Sequence, residues 1–233
     1  MIIGEGIKDI IFKVPNDSQD NGKYEPTLNS YLIAIVRDSK GNIIQIHKQR
    51  SHTNTSNFIG LILPASWFTT NNESYTLTNT AGSTCSYMPN ITCTATDIGY
   101  PCSVSNAFTY LVAIQVGSGQ QTNTSNPLTL AAPIANGSGT GQLVYGNISL
   151  PSSIVVSGSS AYFYVSQTYT NNSGGTITIT EVGLLLQLTL SNPNANSHTN
   201  CGQLLIWYDV LSSSVSVPNG GTVTLYYTFT INP

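Results

Sequence analysis

The sequence predicts an all-β protein built as an antiparallel β-sandwich, with little helix. Two observations carry that prediction. Segments rich in Val, Ile, Thr and Tyr alternate apolar and polar residues with period two, and clusters of Gly, Pro and Asn separate them. No segment shows a sustained 3.6-residue apolar stripe between caps.

Taken in order, strands are expected at Asp9–Val14, Ser30–Arg37, Asn42–His47, Phe58–Leu63, Phe108–Val116, Pro127–Ala132, Gln142–Ser149, Ser153–Ser157, Ala161–Thr170, Thr176–Leu190, Gln203–Leu211 and Thr222–Ile231. Three turns, "DSKGN" (38–42), "NNSGG" (171–175) and "VPNGG" (217–221), read as hairpins. After the second, Ile177 and Ile179 alternate with threonines. Glu181 and Gly183 then break the pattern, a mark of a bulge or of a close backbone approach. Beyond them Leu184, Leu185 and Leu186 are apolar on both faces, so a second layer or another subunit must cover them. These three leucines are the interface candidates.

Residues 64–107 form a loop-like excursion that holds three of the four cysteines. An excursion this long needs a function or a staple. Cys85, Cys93, Cys102 and Cys201 lack C-x-x-C spacing and read as disulfide candidates, with three connectivities open. A Cys85–Cys102 bridge is worth ~3 kcal/mol by chain entropy. The rest is expected to form one domain over residues 1–233, with an N-terminal arm or strand over residues 1–25. Glu5, Lys8 and Asp9 interrupt "MIIGEGIKDIIFKVP", which excludes it as the apolar region of a signal peptide.

Charged residues are 7% of the chain, against roughly 25% in ordinary soluble domains. No apolar run approaches the ~20 residues of a spanning helix, so no transmembrane segment is expected. Ser, Thr and Asn supply the surface instead. All seven basic residues (Lys8, Lys13, Lys23, Arg37, Lys40, Lys48 and Arg50) lie within the first 50 positions. Beyond them only Glu73, Asp97, Glu181 and Asp209 are charged. Sequence-specific nucleic-acid binding by that body is therefore not expected. A surface whose charge hardly changes in acid suits an acidic medium, and the fold is expected to survive well below pH 4.

No G-x-S-x-G elbow, phosphate loop or metal-ligand spacing occurs, and His47, His52 and His198 have no evident carboxylate partner, so neither a catalytic site nor a cofactor is expected. Glu181 reads as a structural carboxyl that accepts hydrogen bonds from backbone or from a hydroxyl such as that of Tyr169. An aromatic sugar-binding platform would draw on Trp67, Phe68, Trp207 and Tyr208, with Trp207 expected in the core instead. Eight N-x-[ST] sequons occur, at Asn16, Asn54, Asn72, Asn90, Asn123, Asn136, Asn147 and Asn171. Asn54, Asn72, Asn90, Asn123 and Asn136 fall in expected loops and are the better glycosylation candidates.

The combination of these features with "YTNNSGGTITITEVGLLL" (169–186) resembles single jelly-roll capsid proteins of icosahedral viruses of thermoacidophilic archaea, of the portoglobovirus group. The resemblance implies a jelly-roll sandwich with extra strands that stands in a shell as pentamers or hexamers. The expected partners are copies of itself and a second capsid protein, and the expected location is the virion. The alternative is a secreted archaeal filament subunit joined by donor-strand complementation at the cell surface.

Overall fold

The computed structural model describes residues 27–51, 53–58, 75–87, 91–92, 103–104, 108–122, 126–150, 154–157, 160–192 and 197–232. Among them the chain is nearly all β. The strands are β1 (Thr27–Arg37), β2 (Ile43–Arg50), β3 (Thr53–Asn54), β4 (Tyr75–Thr78), β5 (Thr84–Tyr87), β6 (Ile91–Thr92), β7 (Ser103–Val104), β8 (Phe108–Gly117), β9 (Val144–Ser149), β10 (Val155–Ser157), β11 (Ser160–Thr170), β12 (Ile177–Asn192), β13 (Ser197–Val217) and β14 (Thr222–Asn232). They fall into two compact units, and β12 and β13 contribute to both.

The first unit takes Met1–Ser51, Ile134–Thr180 and Leu211–Pro233. Its six-stranded sheet runs β10-β11-β14-β1-β2, with β9 beside β10 on the same side of β11. β1 pairs β14 antiparallel from Thr27↔Asn232 to Arg37↔Thr222, so the first and last described strands lie together at its centre. The run Tyr31–Val36 is apolar throughout and buried on both faces. Leu32, Ala34 and Val36 share a face with Val223, Leu225 and Tyr227, while Ile33 and Ile35 fill the other.

One of the three expected hairpins forms as such, at 38–42 between β1 and β2. Asp38 accepts from the Lys40 and Asn42 N–H groups (both 2.9 Å) and from the Asn42 amide (2.9 Å), and Gly41 supplies the positive φ of 86°. The turns at 171–175 and 217–221 are not hairpins. The first joins β11 of the six-stranded sheet to β12 of the four-stranded one, and the second joins β13 of the latter to β14 of the former. Glycines at positive φ (Gly174, 86°; Gly220, 74°) permit either outcome. The pairing of β11 with β14, from Thr170↔Thr222 onward, decides it.

Asn171 binds those two turns together. It is fully buried, and its amide donates to the Gly175 carbonyl (2.8 Å) and the Val217 carbonyl (2.7 Å). Its side-chain oxygen accepts from the Ser173 N–H (3.0 Å) and hydroxyl (2.7 Å). Its own N–H reaches Gly221 O at 2.9 Å, and its carbonyl accepts from Gly220 N at 2.7 Å. Nearby, the last stretch of β13 meets side chains of β2. Gln45 accepts from Ser216 N (3.0 Å) and donates to Ser214 O (2.9 Å), and Gln49 accepts from Ser212 N (2.8 Å). Between them His47 bonds the Ser213 hydroxyl (3.1 Å) and Gln49 (2.8 Å). Alternate side chains of one strand thus satisfy backbone groups of another that it does not pair.

The second unit takes His52–Pro133 and Glu181–Val210. Its main sheet runs β3-β13-β12-β8, with β12 pairing β8 antiparallel from Glu181↔Gly117 to Leu190↔Phe108. That ladder is continuous, so Gly183 makes no bulge against β8. It marks a close approach, because a Cβ there would come within 2.6 Å of Leu130 Cδ1 and Leu205 Cδ1. The 64–107 excursion is not strandless: β4 pairs β5, and β6 pairs β7 through Ile91↔Val104 and Thr92↔Ser103. Of the expected strand at Phe58–Leu63 only Phe58 is described, at the end of a helical turn over 56–58, while 59–63 lie outside the described residues, as does the expected strand at Asp9–Val14. The helical turn is held by Asn57, whose amide donates to Thr78 O (2.8 Å) and whose oxygen accepts from Thr78 N (2.9 Å).

Candidate functional site

Glu181 stands at the start of the β8–β12 ladder and is fully buried. Its carboxylate accepts from Ala132 N–H (2.8 Å), from Ala131 N–H (3.0 Å) and from the Tyr208 hydroxyl (2.9 Å). Tyr208 O in turn accepts from Gln121 N–H at 3.0 Å, and the Gln121 amide donates to Thr129 O at 2.8 Å. Burial first, then the hydrogen bond to Glu181 and the charges of Glu181 and Asp209, push the Tyr208 phenol up to about 12, against an opposing contribution from the Gln121 N–H. Gly117 faces Glu181 across the ladder, where a Cβ would collide with the carboxylate Oε1.

This network explains why Pro127–Ala132 is not a strand. The Ala131 and Ala132 N–H groups, which a ladder would use, go to the carboxylate, and Ala132 O takes Ser118 N–H at 2.9 Å. Three donors converging on a carboxylate that is itself fully buried make Glu181 the structural carboxyl that its sequence context suggests. The hydroxyl is Tyr208 rather than Tyr169, which is itself buried and donates to Gln167 at 3.3 Å. The signal available in the sequence was a Tyr on β13, the strand next to β12, but the pairing of the two was not readable.

The interface candidates divide. Leu184 and Leu185 are 4% and 5% exposed, covered within the chain itself, with Leu185 in a cluster with Leu130, Leu205 and Tyr208. Leu186 is half-buried. Trp207 is buried against Phe58 in an edge-to-face contact at 4.6 Å, and Tyr208 is buried too, so neither offers a platform. Trp67 and Phe68 lie outside the described residues, as do Cys93, Cys102, Asn72, Asn90 and Asn123. Cys85, Cys201 and Asn54 lie on described strands, but their side chains are outside the description. Asn136 is exposed at an isolated β-bridge to Leu143, with its oxygen accepting from Tyr145 N–H at 3.0 Å. Asn171, buried with both side-chain atoms bonded, has no room for a glycan in the fold.

The solvent-facing apolar residues are not scattered. Ile43, Ile44 and Ile46 lie on β2 at one side of the six-stranded sheet. Leu150, Ile154, Val155 and Val156 lie on its β9/β10 side, and Ile231 shares a cross-strand row with Ala161 and Val156. The β2 side also carries Arg37, Lys40, Lys48 and Arg50, with Lys48 Nζ 5.3 Å from the centre of the Tyr31 ring and its ammonium pulled below its usual value by burial. β9, β10 and β11 carry no charged residue.

No family model, curated protein or solved structure matches this chain. Among the described residues no helix is long and apolar enough to cross a membrane, and no three His, Cys, Asp or Glu side chains converge.

Proposed function

We propose that this chain is a structural capsid subunit, a jelly-roll-type sandwich that assembles into pentamers or hexamers of an icosahedral virion shell, alongside a second capsid protein. The observation that carries this reading is the placing of the exposed large apolar residues. Among the described residues, seven of the eight lie on the two outer sides of one sheet, and the eighth, Ile231, lies at the end of its inner strand β14 in a row with Val156. Apolar surface gathered in this way marks a contact with another molecule. The pairing of the first and last described strands, β1 and β14, supports a Greek-key return of the jelly-roll kind. A polar body with so few charges supports a particle that meets acid on its outer side.

Electron microscopy of the purified full-length protein at rising concentration tests the reading. Rings or closed shells are the expected result. Linear fibres would replace it with the filament-subunit reading, and a protein that stays monomeric would overturn both.

A further inference from the structure

The six-stranded sheet of the first unit has one face whose burial its described second layer does not explain. On that face Tyr31, Ile33 and Ile35 of β1 stand beside Tyr226 and Thr228 of β14. Ile33 is 0% exposed, Ile35 2% and Thr228 3%. The described second layer of the unit is on the opposite face. There Gln45, His47 and Gln49 meet the end of β13, and the Tyr145 ring meets that of Tyr169 at 4.7 Å. A sheet side chain loses its last solvent contact when a further layer lies over it. That further layer is narrower than the sheet. In the single cross-strand row Ile46–Ile35–Thr224–Thr168, Ile35 is covered, while Ile46 at one end and Thr168 at the other are exposed.

Independently of the capsid reading, we infer that residues 1–26 of the same chain cross this face and are its cover. They belong to the same unit and lead directly into β1 at Thr27. Strands of a sheet stand ~4.8 Å apart, so a stretch of about eight extended residues is enough to cross the six-stranded sheet. In the strand expected at Asp9–Val14, Ile10, Phe12 and Val14 fall on one side, which suits them to Ile33 and Ile35. Charge completes the match. Arg37, Lys48 and Arg50, three of the seven basic residues of the chain, all stand on this face. Residues 1–26 bring Glu5, Asp9, Asp17, Asp20 and Glu25, two more acids than their own lysines, Lys8, Lys13 and Lys23. The confinement of basic residues to the first 50 positions then has a physical cause, because the face and its cover carry charges that pair with each other.

Cross-linking of the full-length protein with a carbodiimide, which joins an amine to a carboxylate in direct contact, tests this. Lys48 should be found linked to a carboxylate of residues 1–26. In a mixture of ordinary and isotope-labelled protein, those linked peptides should be wholly light or wholly heavy. Phe12→Asp in the full chain should raise hydroxyl-radical labelling of Tyr31 and Tyr226 at least about threefold and leave that of Trp207 and Tyr208 unchanged. Lys48 left unlinked, or linked only to acids beyond residue 26, overturns the cover, as does labelling of Tyr31 and Tyr226 that Phe12→Asp does not alter. Links that join light to heavy peptides would give the same seat to a neighbouring copy and overturn the single-chain contact. The cross-link needs no variant, so it decides the matter whatever Phe12→Asp does to folding. None of these outcomes touches the capsid reading, which stands or falls on assembly.

Discussion

Asn171 and Glu181 sit ten positions apart in the sequence, and both are fully buried polar side chains with every partner accounted for by geometry. They solve the same problem with opposite chemistry. Asn171 both donates and accepts, and it joins two turns that each lead from one sheet to the other. Glu181 only accepts, and it gathers two backbone donors from a segment outside any strand and a hydroxyl from β13. A neutral amide suits a place where carbonyls and N–H groups converge together. A carboxylate suits a place where only donors do. Substitutions that exchange these characters should therefore fail in different ways and with different pH dependence.

The largest loss should come from Asn171→Asp. Its carboxylate would face the Gly175 and Val217 carbonyls, leaving a buried charge and two acceptors without donors. At neutral pH this should remove at least about 3 kcal/mol of stability. Protonation returns one donor, so the variant binds a proton more tightly when folded than when unfolded. Its deficit should then shrink as the pH falls from neutral toward about 4 and level off below that. Urea unfolding at both pH values checks this, and a deficit that grows in acid would show that the amide's donors are not what matters.

Next in size is Glu181→Gln, which keeps the shape and presents an NH2 group where Ala131, Ala132 and Tyr208 all donate. A loss of about 2–3 kcal/mol is expected at neutral pH, since hydrogen bonds to a charged group are the stronger kind. Gly117→Ala should reach the same site from the other strand. Its methyl would meet the carboxylate and come 2.9 Å from the Ala132 carbonyl oxygen, an overpacking worth about 2 kcal/mol. Thermal melts of the two variants and of the pair measure both. Full additivity would argue against a shared site, because contacting residues couple.

The contrast also shows what the sequence could disclose. Strand positions were legible wherever period-two alternation met a turn signal, as at β1, β8, β11 and β14, whose expected and observed ends differ by a few residues at most. Strand partners were not. The composition of "NNSGG" and "VPNGG" announces turns, yet it does not say whether the next strand pairs with the last one or crosses to another sheet. That outcome depends on the long-range match of β11 to β14. For the same reason Glu181 was readable as a structural acid, from its place before an apolar run, while its hydroxyl partner was assigned to the wrong tyrosine. The apolar sides of the sheet were not anticipated either. "IIQIH" at the start of β2 reads as an ordinary alternating strand until its position in the strand order is known.

The smallest effect expected is that of Tyr208→Phe, and it sharpens the comparison most because it removes one donor from Glu181 without changing the charge. At neutral pH it should lower stability by about 1–2 kcal/mol, leaving Gln121 N–H without its acceptor. Alkali then separates a hydrogen-bonding phenol from one that merely fills space. The folded-state value of Tyr208 is raised from 10.0 to about 12, so its contribution is fully present below about pH 10 and is lost as the pH climbs toward about 12. The phenols of Tyr169 and Tyr226, both raised chiefly by burial, titrate in both proteins and cancel in the difference. The gap between wild type and Tyr208→Phe in urea midpoint should therefore be constant up to about pH 9 and narrow steadily above about pH 10. A gap that stays the same at about pH 11 would mean that the hydroxyl does not serve the carboxylate, and that Glu181 is held by the two alanine N–H groups alone.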